Sequence, residues 1–235
     1  MTEPVRLSKR VADQLRCSRR EAELYIEGGW ISVDGQVIEA PFRKVPQDAT
    51  IELLPGATAT EVPPVTLLWH KPAGIDGAEA ILSADQRWSA DPTRLATLQR
   101  HLLRHTQLFS LAPEASGLVV FSQQRGTIRS LTENGHKLEQ EYVVEVSGEA
   151  DARALERLAR GYTHRGVSLP KAKASWQNET HLRIALKGPR QDDLRQLCEA
   201  VGLRLLGSKR IRIGRVSMAK LPAGQWRYLT DNERF

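Results

Sequence analysis

Residues 55–65 place the tightest constraint on how this chain can fold. The segment holds three prolines and one glycine among small side chains, a composition that does not build a packed helix or strand. The 235 residues are enough for a small domain followed by a medium-sized one. We therefore predict two domains, residues 1–54 and residues 66–235, joined by a linker over residues 55–65.

The first predicted domain reads as two short helices followed by a small hairpin. Apolar residues recur at helical spacing through residues 6–15, which predicts the first helix. Ser18, with Glu21 three residues later, forms a capping-box pattern ahead of a second amphipathic segment. The pair Asp34 and Gly35 separates two short β-prone segments, which predicts a hairpin with a two-residue turn.

Apolar and alternating segments predict strands elsewhere, and longer amphipathic segments predict helices. The predicted strands are residues 50–54, 66–69, 117–122, 142–146 and 181–186. The predicted helices beyond the linker are residues 93–105, 125–134, 151–160 and 191–201. Because strands and helices mix without a regular βαβ rhythm, we expect an α+β fold with a largely antiparallel sheet rather than a doubly wound fold.

Charge is distributed unevenly along the chain. The net charge is +6, yet residues 160–235 carry 16 Lys and Arg against 6 Asp and Glu, so the remainder is net acidic. A basic C-terminal third indicates a polyanion partner, although a solvated basic face would have the same composition. Hydrophobic residues make up 40% and charged residues 26%, which excludes a disordered chain.

Other features bear on the compartment and the oligomeric state. No apolar run approaches the length of a membrane span, and residues 1–4 are too polar for a signal peptide. We therefore expect a cytoplasmic protein without membrane contact, and a monomer. Cys17 and Cys198 lie far apart in sequence and are expected to be reduced thiols rather than a disulfide or a metal pair.

The two N-terminal helices concentrate positive charge. Helical spacing places Arg6, Lys9 and Arg10 within about one turn of each other. Arg19 and Arg20 stand at the start of the second helix, where backbone N–H groups and the helix dipole also favour phosphate. A solvated helix face is the alternative interpretation of this cluster.

Three segments of this region, residues 6–12, 17–23 and 29–35, resemble the alpha-L RNA-binding domain first described in a small-subunit ribosomal protein. The match spans residues 6–54, and its most specific part is Ser-Arg-Arg-Glu-Ala followed by Gly-x-Ile-x-Val-Asp-Gly. Asp34 stands where the family usually has Asn, which keeps the turn chemistry. The resemblance implies that the two helices and the hairpin grip structured RNA through phosphates and shape.

Later segments resemble, in the family's order, the bacterial ribosomal-RNA pseudouridine synthases that carry an N-terminal alpha-L domain. The first matches are a strand and turn over residues 67–75, with His70 for the usual Asn, and a catalytic loop and strand over residues 111–120. Residues 136–144 align with the family's Lys-x-Tyr-x-Val strand. The last matches are a helix over residues 194–202 and the segments 209–213 and 221–229. The implied partner is RNA, and ribosomal RNA in particular. The predicted RNA contacts are Arg6, Lys9, Arg10, Ser18, Arg19, Arg20, Lys71, Lys209, Arg210 and Arg212.

The resemblance implies a reaction that detaches uracil from its ribose, turns it and rejoins it through carbon, without metal or cofactor. An Asp starts the reaction at the sugar as nucleophile or base, an Arg or Lys pairs with that Asp, and a Tyr stacks on the base once it has left the RNA stack. Alignment on Gly117 and Leu118 puts Ala112 at the position of the Asp. A methyl group can neither attack nor accept a proton. Ser110 and Ala115 replace the family's Arg and Thr.

Other matched positions are kept or changed. Tyr142 matches the stacking Tyr, and a half-buried strand tyrosine is the alternative interpretation. Arg195 fits the old ion-pair partner or a solvated helix residue. Gln140 replaces a family Lys, and Asp192 with Asp193 interrupts a basic stretch, where acids would repel phosphate.

Three functions remain open. The first is an RNA binder of this family that has lost catalysis because Ala112 replaces the Asp. The second is an active synthase that isomerises a specific ribosomal-RNA uridine with another acid, for which Glu114 is the candidate, although an exposed loop acid is the alternative interpretation of that residue. We favour the first over the second because fold does not determine function. The third is a general basic nucleic-acid binder without ribosomal preference.

Overall fold

Two compact units make up the chain. The computed structural model describes residues 3–76, 82–150, 153–190 and 192–235. The first unit takes in the chain up to Pro64 together with a returning segment, Arg94–Arg104. The second unit takes in Val65–Thr93 and His105–Phe235. The segment predicted as a linker, residues 55–65, contains no helix or strand.

Five α-helices and sixteen strands lie within the described residues. The helices are α1 (Leu7–Leu15), α2 (Arg19–Glu27), α3 (Arg125–Asn134), α4 (Ala154–Arg160) and α5 (Asp193–Glu199). The strands are β1 (Val5–Arg6), β2 (Ile31–Val33), β3 (Gln36–Val37), β4 (Lys44–Val45), β5 (Ile51–Leu53), β6 (Thr66–Lys71), β7 (Thr106–Leu108), β8 (Ser116–Ser122), β9 (Glu139–Ser147), β10 (Tyr162–His164), β11 (Val167–Leu169), β12 (Ala172–Trp176), β13 (His181–Lys187), β14 (Arg204–Ile213), β15 (Val216–Ser217) and β16 (Trp226–Tyr228).

The first unit has the two helices and the hairpin that the sequence predicts. The Ser18 hydroxyl accepts a hydrogen bond from the Glu21 N–H (3.2 Å), and the Glu21 carboxylate accepts one from the Ser18 N–H (2.8 Å), which completes the capping box of α2. Asp34 and Gly35 have φ angles of 50° and 79°, as a two-residue hairpin turn requires. These local predictions are confirmed. Apolar residues of α1, α2 and the strands form the core of this unit: Leu7, Val11, Ala22, Ile26, Ile31, Val33, Ile38, Val45, Ala49 and Ile51.

The returning segment corrects one prediction. Residues 93–105 were expected to be helical, but the segment is mostly extended with one short 3₁₀ turn. Its backbone and side chains bind acids of the first unit instead of completing a helix. The Gln99 N–H donates to the Glu39 carboxylate (2.6 Å), and Arg100 pairs with Glu27 (3.1 Å). Tertiary contacts therefore override the amphipathic pattern of this stretch.

A nine-stranded sheet organises the second unit. Its main path runs β12-β13-β9-β14-β8-β6-β16, with β15 paired to β14 and β7 paired to β8. The strand pairs of this sheet within the described residues are antiparallel except β14 with β8. This confirms the predicted α+β fold with a largely antiparallel sheet.

The parallel pair of β14 and β8 depends on one glycine. Gly117 lies opposite Arg210 and has a φ of 116°, a conformation that only glycine adopts readily. A Cβ atom at this position would lie 2.3–2.4 Å from the Arg210 backbone. The absence of a side chain lets the two strands approach, and this brings the loop before β8 close to β14.

The helices of the second unit cover the sheet. The predicted helix over residues 125–134 is confirmed as α3. Residues 151, 152 and 191, at the starts of two other predicted helices, lie outside the described residues, and the described parts of those two ranges contain α4 and α5. Both helices contribute to a core with β9 and β13, which contains Tyr142, Val144, Leu158, Ile184 and Leu197. Within the described residues no helix is long and apolar enough to span a membrane.

Candidate functional site

A cleft of about 570 Å³ opens in the second unit beside the loop between β7 and β8. Its lining brings together the four residues that the sequence assigned to catalysis or its loss: Ala112, Glu114, Tyr142 and Arg195. The loop supplies Ala112 and Glu114, β9 supplies Tyr142, and α5 supplies Arg195. Its other lining residues are Phe109, Ser110, Leu111, Ala115, Gln140, Pro189, Arg190, Asp192, Leu194, Leu205, Leu206, Gly207, Ser208 and Arg210.

Lys71 holds the end of this loop that leads into β8. Its side chain is fully buried, and Nζ donates to the carbonyls of Pro113 (2.9 Å) and Ala115 (2.7 Å), as well as to that of Pro72 (3.0 Å). Burial lowers the pKa of Lys71, while the negative charges of Glu114 and Asp76 oppose that shift. Lys71 was predicted to contact RNA, but its buried ammonium group holds loop carbonyls and is not presented to solvent.

Arg210 holds the start of the same loop, directly after β7. The guanidinium is buried and donates to the carbonyls of Phe109 and Leu118, the latter at 2.7 and 2.8 Å. It also donates to Gln140 Oε1 (3.1 Å) and approaches the Tyr142 hydroxyl (3.5 Å). Burial lowers its pKa. Like Lys71, Arg210 was predicted to contact RNA and instead organises the site from within.

Tyr142 lies in the floor of the cleft. Its side chain is 4% exposed, and its hydroxyl donates to Gln140 Oε1 at 2.8 Å. Gln140 thus accepts from both Tyr142 and Arg210, which orients its amide. A glutamine oxygen can accept both bonds, whereas the ammonium of the family's lysine could accept neither. The floor is therefore a hydrogen-bonded surface built from Gln140, Tyr142 and the Arg210 guanidinium.

The acids of the cleft occupy its rim. Ala112 is partly buried, whereas Glu114 is exposed. Asp192 pairs with Arg195 at 2.6 Å, and both side chains are more than half exposed. Asp192 raises the pKa of Arg195, to which Glu114 adds a smaller effect. Arg195, which the resemblance offered as the partner of the family's Asp, is therefore already paired with Asp192.

Asp193 has a different place from the one expected. It was interpreted as an acid that would repel phosphate, but its side chain is 4% exposed. Its carboxylate accepts from the Arg190 backbone N–H (2.8 Å) and pairs with the Arg190 guanidinium (2.9 Å). Asp193 therefore anchors the start of α5. A carboxylate at the first turn of a helix is the sequence signal that could have indicated this role.

Phe109 is a residue of the site that sequence reasoning missed. It has a φ of 55°, in the left-handed region that non-glycine residues seldom adopt. Its carbonyl accepts from Arg210, and the Arg210 guanidinium lies 5.9 Å from the centre of its ring. No local sequence pattern marks this conformation, because Arg210 lies about a hundred residues further along the chain.

Some of the predicted RNA contacts of the first unit already bind other groups of the protein, and others are exposed. Arg19 lies 3.9 Å from Glu23, and Arg20 pairs with Glu61 at 2.7 Å. Arg10 donates to backbone carbonyls at 2.6 and 3.2 Å. The Ser18 hydroxyl caps α2, whereas Arg6 and Lys9 are exposed.

The cations of β14 are partly engaged as well. Arg212 pairs with Glu139 (2.7 Å) and Glu141 (2.8 Å), and Arg183 pairs with Glu141 from the other side. Burial alone would raise the pKa of Glu141, but hydrogen bonds from the two arginines lower it. Lys209 is half-buried. Arg212 therefore links β14 to β9 through two ion pairs.

Comparisons with known proteins find similarity to pseudouridine synthases. No family model matches the sequence. The chain is 26% identical over 232 residues to the dual-specificity RNA pseudouridine synthase RluF of Escherichia coli K12, covering 97% of this chain and 77% of the relative. It is 25% identical over 234 residues to the ribosomal small subunit pseudouridine synthase A of Vibrio cholerae, covering 97% of each. A crystal structure of a pseudouridylate synthase has the same fold, with a TM-score of 0.58, 18% identity and 96% of both chains covered.

Proposed function

We propose that this chain is a member of the bacterial ribosomal-RNA pseudouridine synthase family that binds structured ribosomal RNA without isomerising a uridine. The observation that carries the proposal is the side chain at position 112. Ala112 lines the cleft beside Tyr142, and its methyl group supplies no nucleophile or base. The cleft holds a tyrosine, as the family's does, but the alanine at the position that starts the family's reaction is chemically inert.

The remaining polar groups of the cleft suit binding better than catalysis. Asp192 is committed to Arg195, and the Tyr142 hydroxyl to Gln140. We further propose that residues 1–54 act as an alpha-L domain on the same RNA and that residues 66–235 form the synthase-like domain, with residues 55–65 between them.

Mapping of pseudouridines tests the loss of catalysis. The wild-type protein is incubated with ribosomal RNA from a strain that lacks it, and pseudouridines are located by chemical modification and reverse transcription. We expect no new pseudouridine, while the protein still binds the same RNA in a filter assay. A new pseudouridine made by the wild-type protein would overturn the proposal.

Glu114 supports a second candidate function, an active synthase with a displaced acid. Its carboxylate lines the cleft, and its charge acts on both Arg195 and Lys71. If wild-type protein forms a pseudouridine, Glu114→Gln should abolish it, because the amide cannot act as nucleophile or base. Glu133→Gln, at an exposed position on α3, is the matched control and should leave the product unchanged. Product that persists in Glu114→Gln would exclude this residue.

Salt-dependent binding separates a ribosomal-RNA binder from a general polyanion binder. Affinity for ribosomal-RNA fragments and for an unrelated duplex is measured at several salt concentrations. Both should weaken with salt because phosphate contacts release counterions. We expect the ribosomal fragments to bind at least about tenfold more tightly at every concentration, by the margin that specific contacts add. Equal affinities would favour the general binder.

A further inference from the structure

Phe42 is a large apolar side chain that the first unit leaves in solvent. It is 67% exposed and lies in the turn that precedes β4. The backbone on either side is fixed, because the Ser8 N–H donates to the Pro41 carbonyl (3.1 Å) and the Leu7 N–H donates to the Arg43 carbonyl (2.8 Å). The phenyl ring is therefore presented from an anchored turn rather than from a free loop.

Four exposed cations lie on the two segments that meet at this turn: Arg6 and Lys9 on either side of the Leu7 and Ser8 backbone bonds, and Arg43 and Lys44 directly after Phe42. The pairing of β1 with β4 places Arg6 opposite Lys44, and the Arg6 guanidinium lies 6.0 Å from the centre of the Phe42 ring. Within the part of the chain that the structure describes, none of the four has a carboxylate within 4 Å. Their charges are therefore available to a partner.

Other cations of this unit, unlike these four, already have partners within the protein. Arg19 and Arg20 each lie within 4 Å of a glutamate, and Arg10 is held by backbone carbonyls. A single exposed apolar residue is ordinary on a protein surface. An exposed ring among four unpaired cations is the combination that binds unpaired nucleotides, because bases stack on aromatic rings while phosphates meet the cations.

We propose that Phe42 stacks on an unpaired base of the bound RNA, while Arg6, Lys9, Arg43 and Lys44 bind the phosphates beside it. This inference rests on the proposed RNA-binding function. It narrows the ligand from structured RNA in general to a helix interrupted by an unpaired nucleotide. It also places the main phosphate contacts at the turn before β4 rather than at the start of α2.

Two RNA hairpins that differ only by one bulged nucleotide test the proposal. The wild-type protein should bind the bulged hairpin about tenfold more tightly, as stacking of one base on an aromatic ring allows. Phe42→Leu keeps an apolar side chain but removes the ring, and should lose that preference without losing affinity for the unbulged hairpin. Phe42→Tyr should retain it.

Fluorine NMR gives a second readout that does not depend on affinity. The chain has four phenylalanines, so protein labelled with 4-fluorophenylalanine should show four signals, and Phe42→Leu identifies the one from Phe42. We expect that signal to shift with the bulged hairpin and to stay in place with the unbulged one. A signal that is unmoved by saturating bulged RNA would overturn the stacking role.

Charge variants supply the matched comparison. Replacing Arg43 and Lys44 by Ala should lower the dependence of log affinity on log salt by about 0.7–0.9 per cation, whereas replacing the paired Arg19 and Arg20 should lower it less. Equal effects would contradict the placement of the phosphate contacts.

If the wild-type protein binds neither hairpin, the proposed RNA-binding function fails. If it binds both equally and Phe42→Leu changes nothing, the inference about Phe42 fails and RNA binding stands.

Discussion

Two buried cations determine the position of the loop that carries Ala112. Lys71 holds the carbonyls of Pro113 and Ala115, and Arg210 holds those of Phe109 and Leu118. Buried charges are costly unless they are fully hydrogen-bonded, so removing either side chain would leave several carbonyls without donors. None of these hydrogen bonds involves the side chain of residue 112, so this frame does not depend on the chemistry of that residue.

His70 makes stability sensitive to pH. Its ring lies in β6, and Nδ1 donates to the Leu221 carbonyl at 2.8 Å. Burial lowers the pKa of His70, so the folded protein binds a proton less readily than the unfolded chain, in which the pKa is about 6.5. Its stabilising effect is complete above that pH and is lost as the pH falls toward the folded-state pKa.

We therefore expect the Tm of the wild-type protein to fall between pH 7.5 and pH 5.0 by more than that of His70→Asn. The exposed His136→Asn is the matched control and should fall as the wild type does. Thermal unfolding followed by circular dichroism measures all three proteins. An identical pH dependence in wild type and His70→Asn would contradict this assignment.

The pairing of β14 with β8 is the element on which the cleft depends. The two strands approach through Gly117, where an added methyl group would overlap the Arg210 backbone. The same pairing supports the loop of Ala112 on one side and the Tyr142 strand on the other. Disruption at this point should therefore affect the whole second unit rather than one loop.

Gly117→Ala should destabilise the protein by more than about 3 kcal/mol, through steric overlap and the positive φ. Gly126→Ala is the matched control, because Gly126 lies in α3 with open space around it. That change should stabilise the protein by about 0.5–1 kcal/mol, since alanine favours helix. Urea denaturation compares the two, and similar midpoints for both variants would contradict the role of Gly117.

Elements and residues differ in how far the sequence could predict them. The capping box at Ser18 and the turn at Asp34 are local, so residue type and spacing were sufficient. Family motifs placed Ala112 and Tyr142 in one cleft, because a motif carries the fold that unites them. The burial of Lys71 was not predictable, since two of its three carbonyl partners lie more than forty residues away. Long-range pairing leaves no periodicity in a single sequence.

At the scale of the whole molecule, the polypeptide chain passes between the two units more than once. The sequence predicted a single linker, but the returning segment carries the chain back into the first unit. Gln99 and Arg100 bind Glu39 and Glu27 there. The first unit is therefore built from two separate stretches of chain, and the linker composition of residues 55–65 revealed only one of the crossings.

Cutting the chain in the linker should not release the N-terminal residues. A protease site inserted after Gly56 is cleaved, and the product is analysed by size-exclusion chromatography. We expect the two fragments to elute together, because the returning segment belongs to the downstream fragment. Replacing both Glu27 and Glu39 by Ala should increase the fraction that separates. Fragments that separate fully without those changes would contradict the assignment of the returning segment.

The order of the strands also determines when the protein can fold during its synthesis. β8 acquires its parallel neighbour only when β14 is made, about ninety residues later, and β6 acquires β16 later still. Contacts between such distant parts of a chain close slowly. On a translating ribosome, the first unit can therefore begin to fold early, whereas the cleft has to wait for nearly the whole polypeptide. Until then, apolar strand edges stay open, and a nascent chain stalled before β14 would be a substrate for chaperones.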